Sequence, residues 1–328
     1  MLPRGERTHA LLVGILMVTA FILGVAVYRA VSDGGDMRGS IVVDGLVRTY
    51  LLHLPPWYSG TQSLPLVIAL HGGGGTADSM VKLTRGGLNE LADERGFIVA
   101  YPNAVERHWN DGRNLSVYRS QRENVNDVAF ISALIEHLAD EYGVDQTRVY
   151  VVGMSNGAFM AHRLACEIPS RIAAIAAVAG SMPVNLVSAC PSSTQVSVMM
   201  INGLSDPLVP WDGGPIRFGD MELGEVISVE DAALLWAERG NCTLICDKMY
   251  LPDTDPDDGT RVWKRVFRNN TTGVEVVLYG IDGGGHTWPG GYQYLPESII
   301  GKTCRDVDAN EIIWEFFQRH TLIQNITM

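Results

Sequence analysis

Three short stretches carry residues whose types and spacing suit nucleophilic chemistry. The first is Gly153-Met-Ser-Asn-Gly157, which sets Ser155 between two glycines on a G-x-S-x-G pattern. The apolar run Val149-Tyr-Val-Val152 precedes it, as a buried strand needs, and the helix-compatible stretch Ala158 to Glu167 follows. Strand, sharp turn and helix in that order lift a serine hydroxyl clear of a sheet, and the flanking glycines let the chain turn without a clash. A serine hydroxyl is a weak nucleophile at neutral pH, so it needs a base to take its proton and a third group to orient that base. Asp206 and His286 supply both. Asp206 lies just past the apolar run Val196–Ile201, in Asn202-Gly-Leu-Ser-Asp-Pro207, and His286 just past Val274–Ile281, in Asp282-Gly-Gly-Gly-His-Thr-Trp-Pro-Gly-Gly291.

The roles have rivals. Asp206 before Pro207 also suits a plain turn, and Asp212 is a second acid farther from the strand end. The other histidines fit the base less well. His9 falls in the N-terminal apolar segment, His137, His162 and His320 fall on helices, His53 on an early strand, and His108 precedes the serine. Attack on a carbonyl creates an oxyanion, which needs two N–H donors. The residue after the serine, Asn156, offers one backbone N–H. The glycine run His71-Gly-Gly-Gly-Gly75 offers the second, at Gly73, because glycine lets the backbone approach a substrate closely. That run lacks the G-x-G-x-x-G spacing and a following Gly-Lys-Ser/Thr, which argues against phosphate binding. Trp109 and Trp288 lie beside these stretches and suit either the walls of a substrate pocket or packing anchors. Asp127 suits a helix cap better than a substrate contact.

The elements that must hold these residues alternate between strand and helix. Ile41–Val43 and Arg48–His53 read as a hairpin turned at Asp44-Gly45, followed by strands Leu64–Leu70 and Phe97–Tyr101. A helix capped by Asp78 or Ser79 is predicted to run through Arg95, and another from Asn126 or Asp127 to Tyr142, stopped by Gly143. Beyond the serine come strand Ile172–Ala179, the two strands already named, a capping box at Ser228-Val-Glu-Asp231 ahead of helix Ala232–Arg239, and a final helix Ala309–His320. Pro252–Asp258 reads as an exposed acidic loop. Such alternation predicts an α/β fold, a mostly parallel sheet with helices on both faces.

The bulk composition bounds the rest. At 328 residues and 46% hydrophobic, the chain suits one sizeable domain, taken as residues 38–328, behind an N-terminal extension of residues 1–37. In that extension Arg4 and Arg7 precede the uncharged run Ala10–Tyr28, which reads as an export signal and is just long enough to anchor in a membrane if uncleaved. Arg29 to Arg38 reads as a linker. The catalytic part is therefore expected to be secreted or periplasmic, possessing either a free or a membrane-anchored form. A net charge of −12 without a Lys/Arg cluster argues against nucleic-acid binding. Five cysteines suit an oxidising compartment. Cys166 and Cys190 flank the strand Ile172–Ala179 and could meet beside it, with free buried thiols as the alternative. No C-x-x-C spacing points to zinc.

Together, His71-Gly-Gly-Gly-Gly-Thr-Ala, Trp109-Asn-Asp, Asn126-Asp-Val, Gly153-Met-Ser-Asn-Gly-Ala, Arg163-Leu-Ala-Cys-Glu, Asp206-Pro-Leu-Val-Pro-Trp-Asp-Gly-Gly and Gly283-Gly-Gly-His-Thr-Trp-Pro-Gly-Gly resemble the polyhydroxybutyrate depolymerase and feruloyl-esterase-like α/β-hydrolases, relatives of carbohydrate esterase family 1. Arg305-Asp-Val-Asp-Ala-Asn-Glu-Ile-Ile-Trp-Glu-Phe-Phe resembles the C-terminal helix of that group. The resemblance covers about residues 38–320 and implies the α/β-hydrolase fold. It also implies a serine esterase acting through Ser155, Asp206 and His286, with no metal or organic cofactor, on a small or polymeric ester: short-chain, hydroxyalkanoate, feruloyl or acetyl. Members often pair a cysteine before the last strand with one at the Cys242 position; here Asn270 stands near the former place. An acyltransferase using the same triad and a catalytically silent binding protein on the same fold are the alternatives.

Overall fold

A computed structural model describes residues 30–31 and 36–322. The apolar run Ala10–Tyr28 lies outside them. Among the described residues no helix is long and apolar enough to cross a membrane.

Among the described residues thirteen strands are present: β1 (Ala30–Val31), β2 (Asp36–Val43), β3 (Leu46–His53), β4 (Leu66–Leu70), β5 (Ile98–Pro102), β6 (Val149–Met154), β7 (Ala174–Val178), β8 (Ser197–Gly203), β9 (Gly214–Phe218), β10 (Met221–Val226), β11 (Thr243–Tyr250), β12 (Arg261–Arg268) and β13 (Glu275–Asp282). Eleven form one sheet in the order β1-β2-β3-β5-β4-β6-β7-β8-β13-β12-β11. The six from β5 to β13 in that order are mutually parallel, and antiparallel strands extend both edges. β6 is the midpoint, with five strands on either side.

The sequence period explains the layering. Successive side chains of a strand point to opposite faces. Accordingly Leu66, Ile68 and Leu70 of β4 join the core that holds the helices Asp127–Tyr142, Asn156–Glu167 and Val229–Arg239. Val67 and Ala69 join the opposite core, under the helices Ala77–Leu83, Gly87–Arg95 and Ala309–Phe317. β4, β5, β6, β7 and β8 are buried along their whole length, which is why they read as continuous apolar runs. In the second core Trp314 stacks on Phe97 at 3.9 Å between ring centroids and Phe317 on Tyr150 at 4.8 Å, fixing the last helix to the sheet.

Several elements differ from expectation. The hairpin turns at Asp44-Gly45, both at positive φ, and its first strand begins at Asp36, inside the predicted linker, because Asp36–Arg38 pair with Leu51–His53. The single helix expected through Arg95 is two, with Thr76 capping the first. The chain breaks at Arg85-Gly86, both at positive φ, and Gly87 packs so closely on Asn310 that a Cβ there would meet its Nδ2 at 2.5 Å. The hairpin β9–β10 and the strands β11 and β12 were not foreseen. β11 is an edge strand, mostly exposed and interrupted by bulges. Cys166 and Cys190 form a disulfide, whereas Cys242, Cys246 and Cys304 are free.

Candidate active site

Parallel pairing brings the C-terminal ends of β4, β6, β8 and β13 to one edge of the sheet, where sites on open α/β sheets collect. Ser155 follows β6 immediately. Its backbone sits at φ 55° and ψ −119°, a strained conformation for a residue with a Cβ, of the kind that costs about 1–3 kcal/mol. The N–H of Ser155 donates to Val178 of β7 at 2.9 Å, and Asn156 opens the helix Asn156–Glu167.

β8 and β13 are neighbours, so the loops after them emerge side by side. The N–H of Ser205 donates to Gly284 at 2.9 Å, clipping one loop to the other, and a Cβ on Gly203 would fall 2.3 Å from the carbonyl oxygen of Gly284. Across this seam His286 Nδ1 donates to Asp206 Oδ2 at 2.7 Å, with side chains only 3% and 1% exposed. The other carboxylate oxygen of Asp206 accepts the N–H groups of Leu208 and Val209, at 2.8 and 2.9 Å. Three donors thus hold the carboxylate in place. Asp212, the rival acid, is exposed. His286 is held in turn by its own N–H, which donates to Ile300, and its carbonyl, which accepts the Tyr294 hydroxyl at 3.1 Å.

Ser155 and His286 both line a cavity of about 750 Å³. Gly72 to Gly75 and Asn156 border it as well. The glycine loop is fixed by His71, whose Nδ1–H donates to Gly72 and whose Nε2 accepts the N–H of Ala104 at 3.1 Å. Burial pushes the His71 imidazole down to about 4, so it stands neutral at pH 7 in this tautomer. The N–H groups of Gly74 and Gly75 are used on Arg107 and Gly72. Among the described residues the N–H of Gly73 has no partner, and that of Asn156, first in its helix, has none within the helix. The arrangement offers a hydroxyl, an oriented imidazole and two N–H groups around one cavity, which is what acyl transfer needs.

The remaining candidates are placed elsewhere. Trp109 and Trp288, read as possible pocket walls, are wholly buried and do not border the cavity. Rings of this size are stabilised most by complete removal from water, and both sit in the two cores. Asp127 does not cap its helix; Asn126 does, accepting from Ala129. The Asp127 carboxylate is buried and takes Arg48 at 2.6 Å and the N–H of Asn110 at 2.7 Å, while burial raises its pKa despite the neighbouring guanidinium. Unforeseen at the cavity are His108, stacked on Tyr118, and the hairpin residues Ile216, Phe218, Met221 and Leu223. The Trp-Asn-Asp run after His108 was the available signal for the first; the hairpin left none.

The family model "Esterase PHB depolymerase" matches residues 48–214, slightly more than half of the chain. A protein of Nocardia uniformis subsp. tsuyamanensis named as an esterase, NocK, is 32% identical over 296 residues, 88% of this chain and 84% of the relative. A protein of Aspergillus niger named as feruloyl esterase C is 27% identical over 276 residues, 82% of this chain and 83% of the relative. Among solved structures, the acetyl xylan esterase of Aspergillus awamori superposes with a TM-score of 0.54 over 90% of this chain and 99% of its own, at 14% identity, a likeness of fold alone. The mostly parallel sheet with helices on both faces is therefore the α/β-hydrolase fold, and the chain belongs to the esterase PHB depolymerase family and is a carboxylic ester hydrolase.

Proposed function

We propose that this esterase is exported and works through a covalent acyl-enzyme on Ser155. Ser155 Oγ attacks the ester carbonyl carbon while His286 Nε2 takes its proton. Asp206 holds the imidazole in the tautomer that makes this possible and stabilises the imidazolium. The oxyanion rests on the N–H groups of Asn156 and Gly73, where losing one donor typically costs about 2.7–4 kcal/mol. Collapse expels the alcohol, which receives the proton from His286. Water, activated by the same imidazole, then releases the acid and regenerates the hydroxyl. The observation that carries this reading is the buried Asp206–His286 pair at 2.7 Å, opening on the cavity that Ser155 lines.

For the substrate, the cavity favours an acyl group with apolar surface. Phe218 and Met221 of the hairpin and Tyr292, Tyr294 and Leu295 of the loop after His286 border it. Short-chain, hydroxyalkanoate, feruloyl and acetyl esters all suit such walls. Residues 1–37 act as an export segment or anchor ahead of a catalytic domain spanning 38–328, and the Cys166–Cys190 disulfide supports passage through an oxidising compartment.

The test is turnover of p-nitrophenyl acetate by the parent and by Ser155→Ala, followed by the parent on methyl ferulate, acetylated xylan and hydroxybutyrate oligomers. Ser155→Ala should fold normally and lose turnover. Parental turnover in that variant would overturn the proposal.

A further inference from the structure

Catalysis by an oxyanion hole depends on two donors being held at a fixed separation before the charge develops. Here the donors come from different loops, one after β4 and one after β6, and a third segment touches both. The indole Nε1–H of Trp109 donates to the carbonyl of His71 at 2.9 Å, at the root of the glycine loop. The backbone N–H of Trp109 donates to the side-chain oxygen of Asn156 at 2.8 Å, and the Asn156 amide nitrogen donates back to the Trp109 carbonyl at 3.2 Å. That amide also donates to Asp111 Oδ2 at 2.5 Å. Asp111 is wholly buried, and Arg113 neutralises it through Nε at 2.9 Å and Nη2 at 2.7 Å. Gln121 closes the cluster, donating to both Asp111 and the Trp109 carbonyl. Asn110, between them, is tied down separately by Asp127.

We propose that the buried segment Trp109–Asp111 is a brace that sets the separation of the two oxyanion donors, with Trp109 and Asp111 acting as positioning residues through His71 and Asn156. The inference rests on the oxyanion assignment proposed above. The Asn156 side chain has no need to meet substrate: its three hydrogen bonds fix the orientation of the Ser155–Asn156 peptide, whose N–H is the donor. The brace acts on the charge that forms during reaction, so it should affect turnover and leave ground-state binding nearly alone.

The experiment measures kcat and KM on p-nitrophenyl acetate, and the inhibition constant of a trifluoromethyl ketone, whose hemiketal on Ser155 carries an oxyanion. Trp109→Phe keeps an aromatic ring but removes the N–H to His71; Asp111→Asn removes the charged acceptor of Asn156. Each should lower kcat roughly 10- to 100-fold while KM stays within about threefold. The ketone should bind weaker by a similar factor, and the pH profile should keep its shape. A kcat within about twofold of the parent, or a loss of kcat that the ketone does not share, would overturn the brace. Should Asp111→Asn fail to fold, Trp109→Phe decides by the same readings. If Ser155→Ala is inactive while Trp109→Phe turns over at the parental rate, the brace alone fails. If Ser155→Ala remains active, the serine mechanism beneath it fails.

Discussion

Gly153 and Gly157, the residues two before and two after Ser155, lie in contact: a Cβ on Gly153 would fall 2.2 Å from the carbonyl oxygen of Gly157. A Cβ on Gly157 would in turn fall 2.3 Å from the carbonyl oxygen of Leu70 at the end of β4. Both obstacles are backbone and neither can swing aside. Gly153→Ala and Gly157→Ala should each therefore destabilise the fold, at or above the top of the roughly 1–3 kcal/mol range for overpacking. Urea midpoints of purified variants measure this, and unchanged midpoints would show that the turn relaxes more easily than the packing indicates.

Asp206 reaches His286 with one oxygen and the N–H groups of Leu208 and Val209 with the other. Asp206→Asn can keep its oxygen on the two N–H groups, but it turns an amide donor toward Nδ1 and so favours the wrong tautomer. kcat should fall by roughly 10³- to 10⁴-fold with little change in thermal midpoint. Steady-state kinetics beside a melting curve separates this from a loss of structure.

Two buried histidines set the response to acid. Burial pushes His71 down to about 4 and His162 down to about 3, from an ordinary 6.5. The unfolded chain therefore binds more protons than the folded one below pH 6.5. Stability is fully present above that value and is lost as pH falls toward the folded values. His71 alone accounts for a loss on the order of 3 kcal/mol, at about 1.4 kcal/mol per pKa unit. Burial would raise the Glu275 carboxyl, but hydrogen bonds from His320, Arg319 and Arg268 outweigh it and hold the group at about 2, so its share is lost only below the ordinary 4.5. The melting temperature should be flat from pH 8 to 7 and fall steadily below 6.5. His71→Gln should shallow that slope, and an equal slope in the variant would exclude His71 as a source.

The hairpin β9–β10 walls the cavity with Phe218 and Met221, both about half exposed. Phe218→Ala should raise KM for esters of bulky or aromatic acids several-fold, since burying an apolar ring contributes roughly 1.5–3 kcal/mol at most, and leave p-nitrophenyl acetate nearly unchanged. Paired measurements of the two substrate types decide it; an equal effect on both would mean that the ring supports the site instead of contacting the acyl group.

What could be read in advance follows from how locally each feature is encoded. Ser155, Asp206 and His286 were legible because each stands at the end of a buried apolar run, and parallel pairing makes all such ends converge. The hairpin was not legible: Gly214, Pro215, Gly219 and Gly224 interrupt its alternation, and it buries only Ile216 and Val226, in a small satellite cluster with Phe159 and Val209 apart from the two main cores. β11 and β12 were hidden for another reason, since Asp247, Lys248, Lys264 and Arg265 give an edge that faces water a charged sequence. Trp109, Trp288 and Asp127 show a third limit. Trp109 follows the cavity residue His108 and Trp288 lies two residues after His286, yet their places are set by packing distant in the chain: Trp109 bonds His71, Trp288 is buried in the second core, and Asp127 is taken up by Arg48.

The midpoint position of β6 has one more consequence. Local opening starts at sheet edges and loop tips, where few contacts must break, and reaches the centre last. A strained serine placed there cannot relax into an ordinary turn through fraying of its neighbourhood. Its conformation lasts as long as the whole sheet does, so the reactive geometry is protected by the global stability of the molecule rather than by that of the loop which carries it.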